Sequence, residues 1–429
     1  MIRSIVWFKT DLRLHDNETL IRAIAYSDEI VPVYCFDENH YKTTDFGLKK
    51  TGNFRIQFLM ESIIDLDKNL RELGSGLKVV YGKPEVEIIK IAQIYGVRKV
   101  FAKKEVAYEE MLTQELVEKE LWKIQCEFET YSTSTLFLAQ DLPFTLKEIP
   151  DVFTNFRKQV EKESIIRKVF EKPNSIKSPK IEPLHLPEIA NFTRIKLDNR
   201  ASFKFMGGES EGIKRIHSYI FETKSISTYK LTRNNLIGEN YSSKFSAWLS
   251  LGCISARKIY DEIKKYETQY VANESTYWMV FELIWRDYFR FMMKKHRNQY
   301  FKQNGIKESK AIESAFNPEI FEKWKNGQTG NDFIDANMIE LKTTGYMSNR
   351  GRQNVASYFC HNLKLDWRYG AAYFEEQLID YDVSSNWGNW AYLAGVGNDP
   401  IANRVFNIEK QANDYDKNKT YRNLWLNKT

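Results

Sequence analysis

The stretch LIDYDVSSNWGNWAYLAGVGNDP at 378–400 holds the densest set of groups able to do chemistry. Two carboxylates (Asp380, Asp382), an amide (Asn386) and three large rings (Trp387, Trp390, Tyr392) crowd it. Its glycines let backbone approach closely. Aromatic walls with a few placed polar groups describe a pocket for a flat, hydrogen-bonding molecule better than a generic core. Eight of the ten tryptophans follow residue 240, so this site belongs to an aromatic-rich second half.

Three more segments carry candidate groups. In FELIWRDYFRF, Glu282, Trp285 and Arg286 are three and four apart and share one helical face. That face is either a core helix with an internal Glu–Arg pair, or a carboxyl and an indole offered together to a ligand such as a base. NYSSKFSAWLSLGC places Ser242, Ser243, Lys244 and Ser246 at a helix start. Such a row is often only an N-cap, but hydroxyls, a lysine and free backbone N–H groups also cradle a diphosphate. GYMSNRGRQNVASYF supplies Asn349, Arg350 and Arg352. Two residues apart on a helix, the arginines point different ways, one inward to a carboxylate such as Asp380 and one outward to phosphate. Trp390 and Trp367 read equally as packing residues or as stepping stones for electrons.

The elements that position these groups fall into two kinds. Apolar runs at 2–8, 30–36, 78–81, 99–102 and 125–130 read as buried strands, with amphipathic helices between them at 18–26, 54–73, 84–95 and 107–121. This alternation predicts an α/β domain over 1–130 built on a doubly wound, parallel five-stranded sheet. Its first turn, KTDLRLHDN, lacks GxGxxG, which argues against a dinucleotide bound in the usual Rossmann manner. A proline-bearing connector follows over 131–207, read as lying on the surface with one helix at 153–170. From 208 to 429 the pattern is all-helical, with helices predicted at 208–223, 245–251, 256–265, 275–295, 318–326, 333–343, 350–362 and 367–378.

Composition is ordinary for a globular chain, with 42% hydrophobic and 28% charged residues. No apolar run is long enough for a membrane span. The N-terminus enters directly as a strand pattern, with no signal peptide. Cys35, Cys126, Cys253 and Cys360 form no CxxC pair, which predicts a reducing cytoplasm and no metal site. The net charge of +6 permits nucleic acid without requiring it. Eight basic residues between 286 and 310 read either as a solvated helix face or as a phosphate-tracking surface.

Taken together, the segments resemble the photolyase/cryptochrome family, and most closely its DASH-type cryptochromes. WFKTDLRLHDNETL is similar to the family's N-terminal signature, with Lys9 where arginine is usual. TRNNLIGENYSSKFSAWLSLGCIS, STYWMVFELIWRDYFRF, IDANMIELKTTGYMSNRGRQNVASYF and the opening stretch resemble DASH blocks, in order. The likeness is weakest over 131–200.

The resemblance implies a helical domain that binds FAD in a folded form. Tyr229, Ser242, Ser243, Lys244, Phe245 and Ser246 match the segment gripping the phosphates. Arg286, Asn349 and Arg352 match further flavin contacts, with Arg352 pairing Asp380. Asp382 and Asn386 match residues beside the isoalloxazine edge. Glu282 matches a carboxyl that bonds to a cyclobutane pyrimidine dimer, Trp285 the indole against which the dimer packs, and Met347 a neighbour. Tyr392 stands where ordinary photolyases carry a second tryptophan. Arg233, Arg350 and Arg404 match contacts to DNA phosphates, and Glu105 matches a glutamate holding a methenyltetrahydrofolate antenna. Trp390 and Trp367 match the first two members of a photoreduction triad. Ser314 stands where the third is expected, so the route to the surface falls to Trp324 or a tyrosine.

The implied activity is light-driven electron donation from reduced FAD to dimers in single-stranded or looped DNA, by a monomer. Extruding bases from a duplex costs a few kcal/mol, and the smaller Tyr392 wall offers less to offset it. The alternative is a blue-light receptor signalling through flavin redox state. Intact Glu282 and Trp285, and the short run after Trp425, favour the enzyme. A dark flavin oxidoreductase is disfavoured by the missing nicotinamide fingerprint.

Overall fold

The computed structural model describes residues 1–307, 315–399 and 405–427. The first half is a five-stranded parallel sheet in the order β3-β2-β1-β4-β5, built from Arg3–Phe8, Glu29–Asp37, Lys78–Gly82, Lys99–Lys103 and Glu127–Tyr131. The helices between these strands are α1 (Glu18–Tyr26), α2 (Asn53–Glu72), α3 (Pro84–Tyr95) and α4 (Tyr108–Lys123). β1 and β2 are almost wholly buried because helices cover both sheet faces. Chain order reverses between β1 and β4, the place where open α/β sheets leave a crevice at their strand ends.

The proline-bearing segment differs from the expected surface strap. Its helix α5 stops at Glu163 rather than 170. Leu136, Phe137, Phe153, Phe156 and Val160 are all buried in the main core. Prolines set an extended path between anchor points, but the apolar side chains on that path still need cover.

Helices α6 (Glu209–His217), α7 (Tyr229–Thr232), α8 (Ser246–Ser250), α9 (Ala256–Gln269), α10 (Glu274–His296), α11 (Pro318–Lys325), α12 (Asp332–Thr344), α13 (Asn349–Ser357) and α14 (Trp367–Gln377) form most of the second half. The expected helices at 208–223 and 350–362 each switch to a wider π-type turn, at Ser218–Glu222 and Tyr358–Asn362. Four helices were not expected from the pattern: α7, α15 (Val383–Leu393), α16 (Ile408–Tyr415) and α17 (Thr420–Leu426). No helix among the described residues is long and apolar enough to cross a membrane.

One hydrophobic core runs from α1 and α2 through the connector into the helical half. The seam is also bolted by buried charge. Arg13 donates to His15 O, Gly252 O, Asp16 O and Thr133 O. Asp16 takes Arg257 at 2.6 and 3.1 Å, and Glu209 accepts from Leu14 N, His15 N and the His15 ring. The LRLHDN motif is therefore an interdomain joint.

Candidate functional site

A cavity of about 620 Å³ opens among α7, α8, α10, α13 and α15, within the size range of ligand pockets. Most of the candidate residues meet there. Tyr229, Ser242, Ser243, Lys244, Phe245 and Ser246 line it. So do Arg286, Asn349, Arg352, Asp380 and Asp382, and also Glu282, Trp285, Met347, Asn386, Trp390 and Tyr392. Arg233 and Arg350 also face it. Trp324, Trp367 and Glu105 do not line it, and Arg404 and Ser314 lie outside the described residues.

Helix α15 sets the 382–393 side chains. Asp382 is its N-cap, accepting from Ser385 N and Ser385 Oγ at 2.9 Å. Gly388 lets α15 press on α10, where an added Cβ would lie 2.4 Å from the Phe289 ring. Helical spacing then turns Asn386 and Trp390 inward while Trp387 leaves the pocket. Its indole donates to Glu375 and Tyr381 and packs on Phe301 and Trp367, so it is not one of the cavity rings. Asn386 Nδ2 donates to Ala371 O at 3.0 Å. Among the described residues nothing donates to its Oδ1, which leaves a carbonyl acceptor for a ligand N–H.

Charge is arranged in pairs around the cavity. Arg352 holds Asp380 at 2.9 and 3.0 Å and Met347 O at 2.9 Å, the inward role expected for one arginine of that segment. Arg350, also on the cavity wall, bonds to Asn234 and Gln411 instead of to Asp380. Arg290 holds Asp382 at 2.9 Å. Burial acts to raise the Asp382 pKa, but Arg290 and Arg286 outweigh it and hold the carboxyl at about 2. Arg286 donates to Ser134 O and Leu249 O instead of to Glu282. The partner of Glu282 is Arg233 from beside α7, so neither an internal pair on α10 nor a free carboxyl describes it. Burial raises the Glu282 pKa against the pull of Arg233. Arg286 and Arg290 both turn into the protein, so these two leave the basic run of 286–310, whose last member, Lys310, lies outside the described residues.

Lys244 is the clearest sign of a missing partner. It is 2% exposed, in left-handed backbone at φ 61°, and its Nζ has no hydrogen-bond partner among the described residues. The ammonium lies 3.2 Å from the Tyr241 ring centroid and 4.9 Å from that of Tyr346. Burial pushes its pKa well below the usual range. No side chain caps α8, so the serines ahead of it are not serving as the cap their sequence suggested. A buried unpaired ammonium beside three serines fits a diphosphate, and the row therefore suits the phosphates of FAD.

Arg290 and Arg215 escaped sequence reasoning. Arg290 repeats the Arg286 position one turn on, a spacing that could have flagged it. Arg215 fastens Ser242 O and Ser243 O from α6, a long-range contact with no local pattern.

Outside the cavity, Trp390 meets Trp324 edge-on at 6.2 Å, as well as Phe359 and Phe374. Trp367 meets Trp387 at 5.7 Å. Glu105 sits just past β4, with Lys103 at 3.2 Å and Lys9 at 3.5 Å. Among the described residues no cluster of His, Cys, Asp or Glu is placed to hold a metal.

Models of two protein families match the chain: DNA photolyase over residues 4–176, and FAD binding domain of DNA photolyase over residues 278–429. It is 45% identical to Cryptochrome DASH of Synechocystis sp., over 98% of this chain and 87% of that one. It is 46% identical to Cryptochrome DASH of Danio rerio, over 98% of this chain and 82% of that one. The solved structure of a Synechocystis sp. cryptochrome superimposes with a TM-score of 0.96 at 44% identity, covering 100% of this chain and 89% of the other. With its five-stranded parallel sheet, FAD-binding helical half and these matches, the chain belongs to the photolyase/cryptochrome family, in its Cryptochrome DASH group.

Proposed function

We propose that this chain is a DNA-repair lyase that reopens cyclobutane pyrimidine dimers in single-stranded or looped DNA, with FAD and light. The observation that carries this reading is the placing of Glu282 and Trp285 on the same cavity as Asn386 and Lys244. Lesion-type and cofactor-type groups thus share one cavity.

FAD supplies light-driven electron donation when bound, with the electron returned once the cyclobutane ring has opened. The protein's own residues bind, orient and exclude water. Lys244 and the flanking serines hold the diphosphate, and Arg352 is kept in place by Asp380. Asn386 offers its free Oδ1 to a ring N–H and, being an amide, carries no charge into the site. Glu282 hydrogen-bonds the polar edge of the dimer while Trp285 packs on it. Arg233, Arg350 and Arg404 hold backbone phosphates. Because Arg233 pairs with Glu282 in the free protein, engagement of Arg233 by a phosphate releases the carboxyl to the dimer. Tyr392 makes a smaller wall than tryptophan, which favours bases that are already unpaired.

Two further parts belong to the same reading. Trp390 passes electrons inward from Trp324, with Trp367 as a side branch. Glu105 holds a methenyltetrahydrofolate antenna at the sheet's reversal point. There Lys103 and Lys9 outweigh the effect of burial and hold the carboxyl at about 2. The chain acts as a monomer.

Dimer repair in a single-stranded oligonucleotide, with and without light, is the test. Glu282→Ala lowers turnover while the FAD absorption bands remain; turnover equal to the parent's rejects the assignment. An absorption band beyond those of FAD in the purified protein reports the antenna.

A further inference from the structure

Trp285 is half-buried and lines the cavity, but a lone indole on a helix is free to rotate about two side-chain bonds. Tyr288 and Phe289 of its own helix lie 5.7 and 5.5 Å from it and Tyr392 meets it edge-on at 6.2 Å, but its shortest ring contact comes from outside the helical half. The Phe153 ring, at the start of α5 in the connector, lies parallel to the indole at 12° with centroids 3.5 Å apart. Phe153 is 6% exposed and does not line the cavity, so it stands behind the indole. Phe281 and Tyr288 fix Phe153 in turn, edge-on at 5.3 and 5.5 Å.

The helix bearing Phe153 is fastened along α10, the helix that carries Glu282 and Trp285. Phe156 packs on Tyr288 at 5.2 Å. The Tyr288 hydroxyl donates to Asp151 O at 2.6 Å, and Lys295 Nζ reaches Asp151 Oδ1 at 2.7 Å. Near the far end of α5, the Tyr277 hydroxyl donates to Glu161 at 2.8 Å. α5 therefore cannot slide relative to the indole it supports.

We propose that Phe153 is a positioning residue for lesion recognition, holding the Trp285 ring in the plane against which a pyrimidine dimer packs. The proposal rests on the reading of Trp285 given above. A ring already immobilised loses less freedom on binding, so the gain appears as affinity for the dimer and not for undamaged strands. A parallel aromatic partner contributes an amount equivalent to about three- to tenfold in binding.

The test is dark binding of FAD-loaded protein to two single-stranded oligonucleotides, identical except for one thymine dimer. Phe153→Leu keeps apolar volume and loses the ring. It weakens dimer binding about three- to tenfold, with affinity for the undamaged strand and the FAD spectrum unchanged. Phe153→Tyr restores the parent's affinity. In a Trp285→Ala background, Phe153→Leu adds nothing, because its effect runs through the indole. Parent-like dimer binding by Phe153→Leu overturns the proposal. So does equal weakening on both strands, or full additivity with Trp285→Ala. If Trp285→Ala alone binds the dimer as tightly as the parent, the lesion-pocket reading itself falls.

Discussion

Two regions of this molecule bury charge, and the cavity differs from the seam in that, beside its Arg–Asp pairs, it leaves Lys244 without a partner among the described residues. At the seam between the halves, every nitrogen of Arg13 donates and Asp16 takes Arg257 through two bonds. One terminal nitrogen of Arg257, Nη1, has no partner among the described residues. In the cavity, Lys244 is buried with no hydrogen bond among the described residues. Burying an unpaired charge is costly, so a fold keeps one only where something else completes it. Pairing alone does not tell a joint from a site wall, since Arg290 with Asp382 also flanks the cavity; unpaired buried charge beside a cavity marks a ligand.

The largest expected effect breaks the joint. Asp16→Asn keeps the left-handed backbone at φ 45°, which asparagine tolerates, and removes only the charge facing Arg257. Stability falls by about 3–5 kcal/mol, because a buried guanidinium is left uncompensated. Denaturant unfolding measures this, and a loss near zero removes the seam's claim to be a joint. Lys244→Met has the opposite sign in the FAD-free protein, where stability holds or rises because an unpaired cation disappears. FAD affinity then drops roughly tenfold or more, the worth of a hydrogen bond to a charged group. Titration with FAD, alongside unfolding of the apoprotein, separates the two effects.

A third expectation is a pH signature. Asp382 is held at about 2 against an ordinary 3.8, so the folded state favours its ionised form. The resulting stabilisation, about 2 kcal/mol, is fully present above about pH 4 and is lost as pH falls towards 2. Asp382→Asn lacks it throughout, so the gap between parent and variant narrows on acidification. A gap that stays constant from pH 5 to pH 2 means Arg290 is not the source.

These contrasts follow what was legible in the chain. The sheet was readable because strands buried on both faces are continuous apolar runs, and α1 and α3 fall at 18–26 and 84–95 as expected. Helix α15 was not, although it carries the most chemistry. Ser384, Ser385, Asn386, Gly388 and Asn389 are weak helix formers, and close packing of Gly388 on Phe289 overrides them. Asp382 ahead of Ser385 was the available start signal. Pairings such as Arg233 with Glu282, or Phe153 with Trp285, join residues far apart in sequence, and periodicity does not encode them. Single residue types were legible, but whether each found a partner was a fact of three dimensions.

Trp324 tests how far the rule about unpaired groups extends. Its indole N–H is buried without a partner among the described residues, yet it does not line the cavity. A ligand donor it is not. It is instead the ring next to Trp390, which does line the cavity. Trp367, by contrast, donates its N–H to Gln303 O at 2.9 Å and touches Trp387. Trp324→Phe therefore removes an unsatisfied donor along with an oxidisable ring, so it perturbs the fold less than the lost area suggests. Its functional effect is a several-fold slower photoreduction of bound FAD when the oxidised protein is illuminated with an external reductant. Trp367→Phe slows that step less, because the ring it meets at 5.7 Å, Trp387, does not line the cavity. Equal slowing by the two variants returns Trp367 to the direct route, and no slowing by either leaves the unpaired Trp324 indole as an ordinary packing residue.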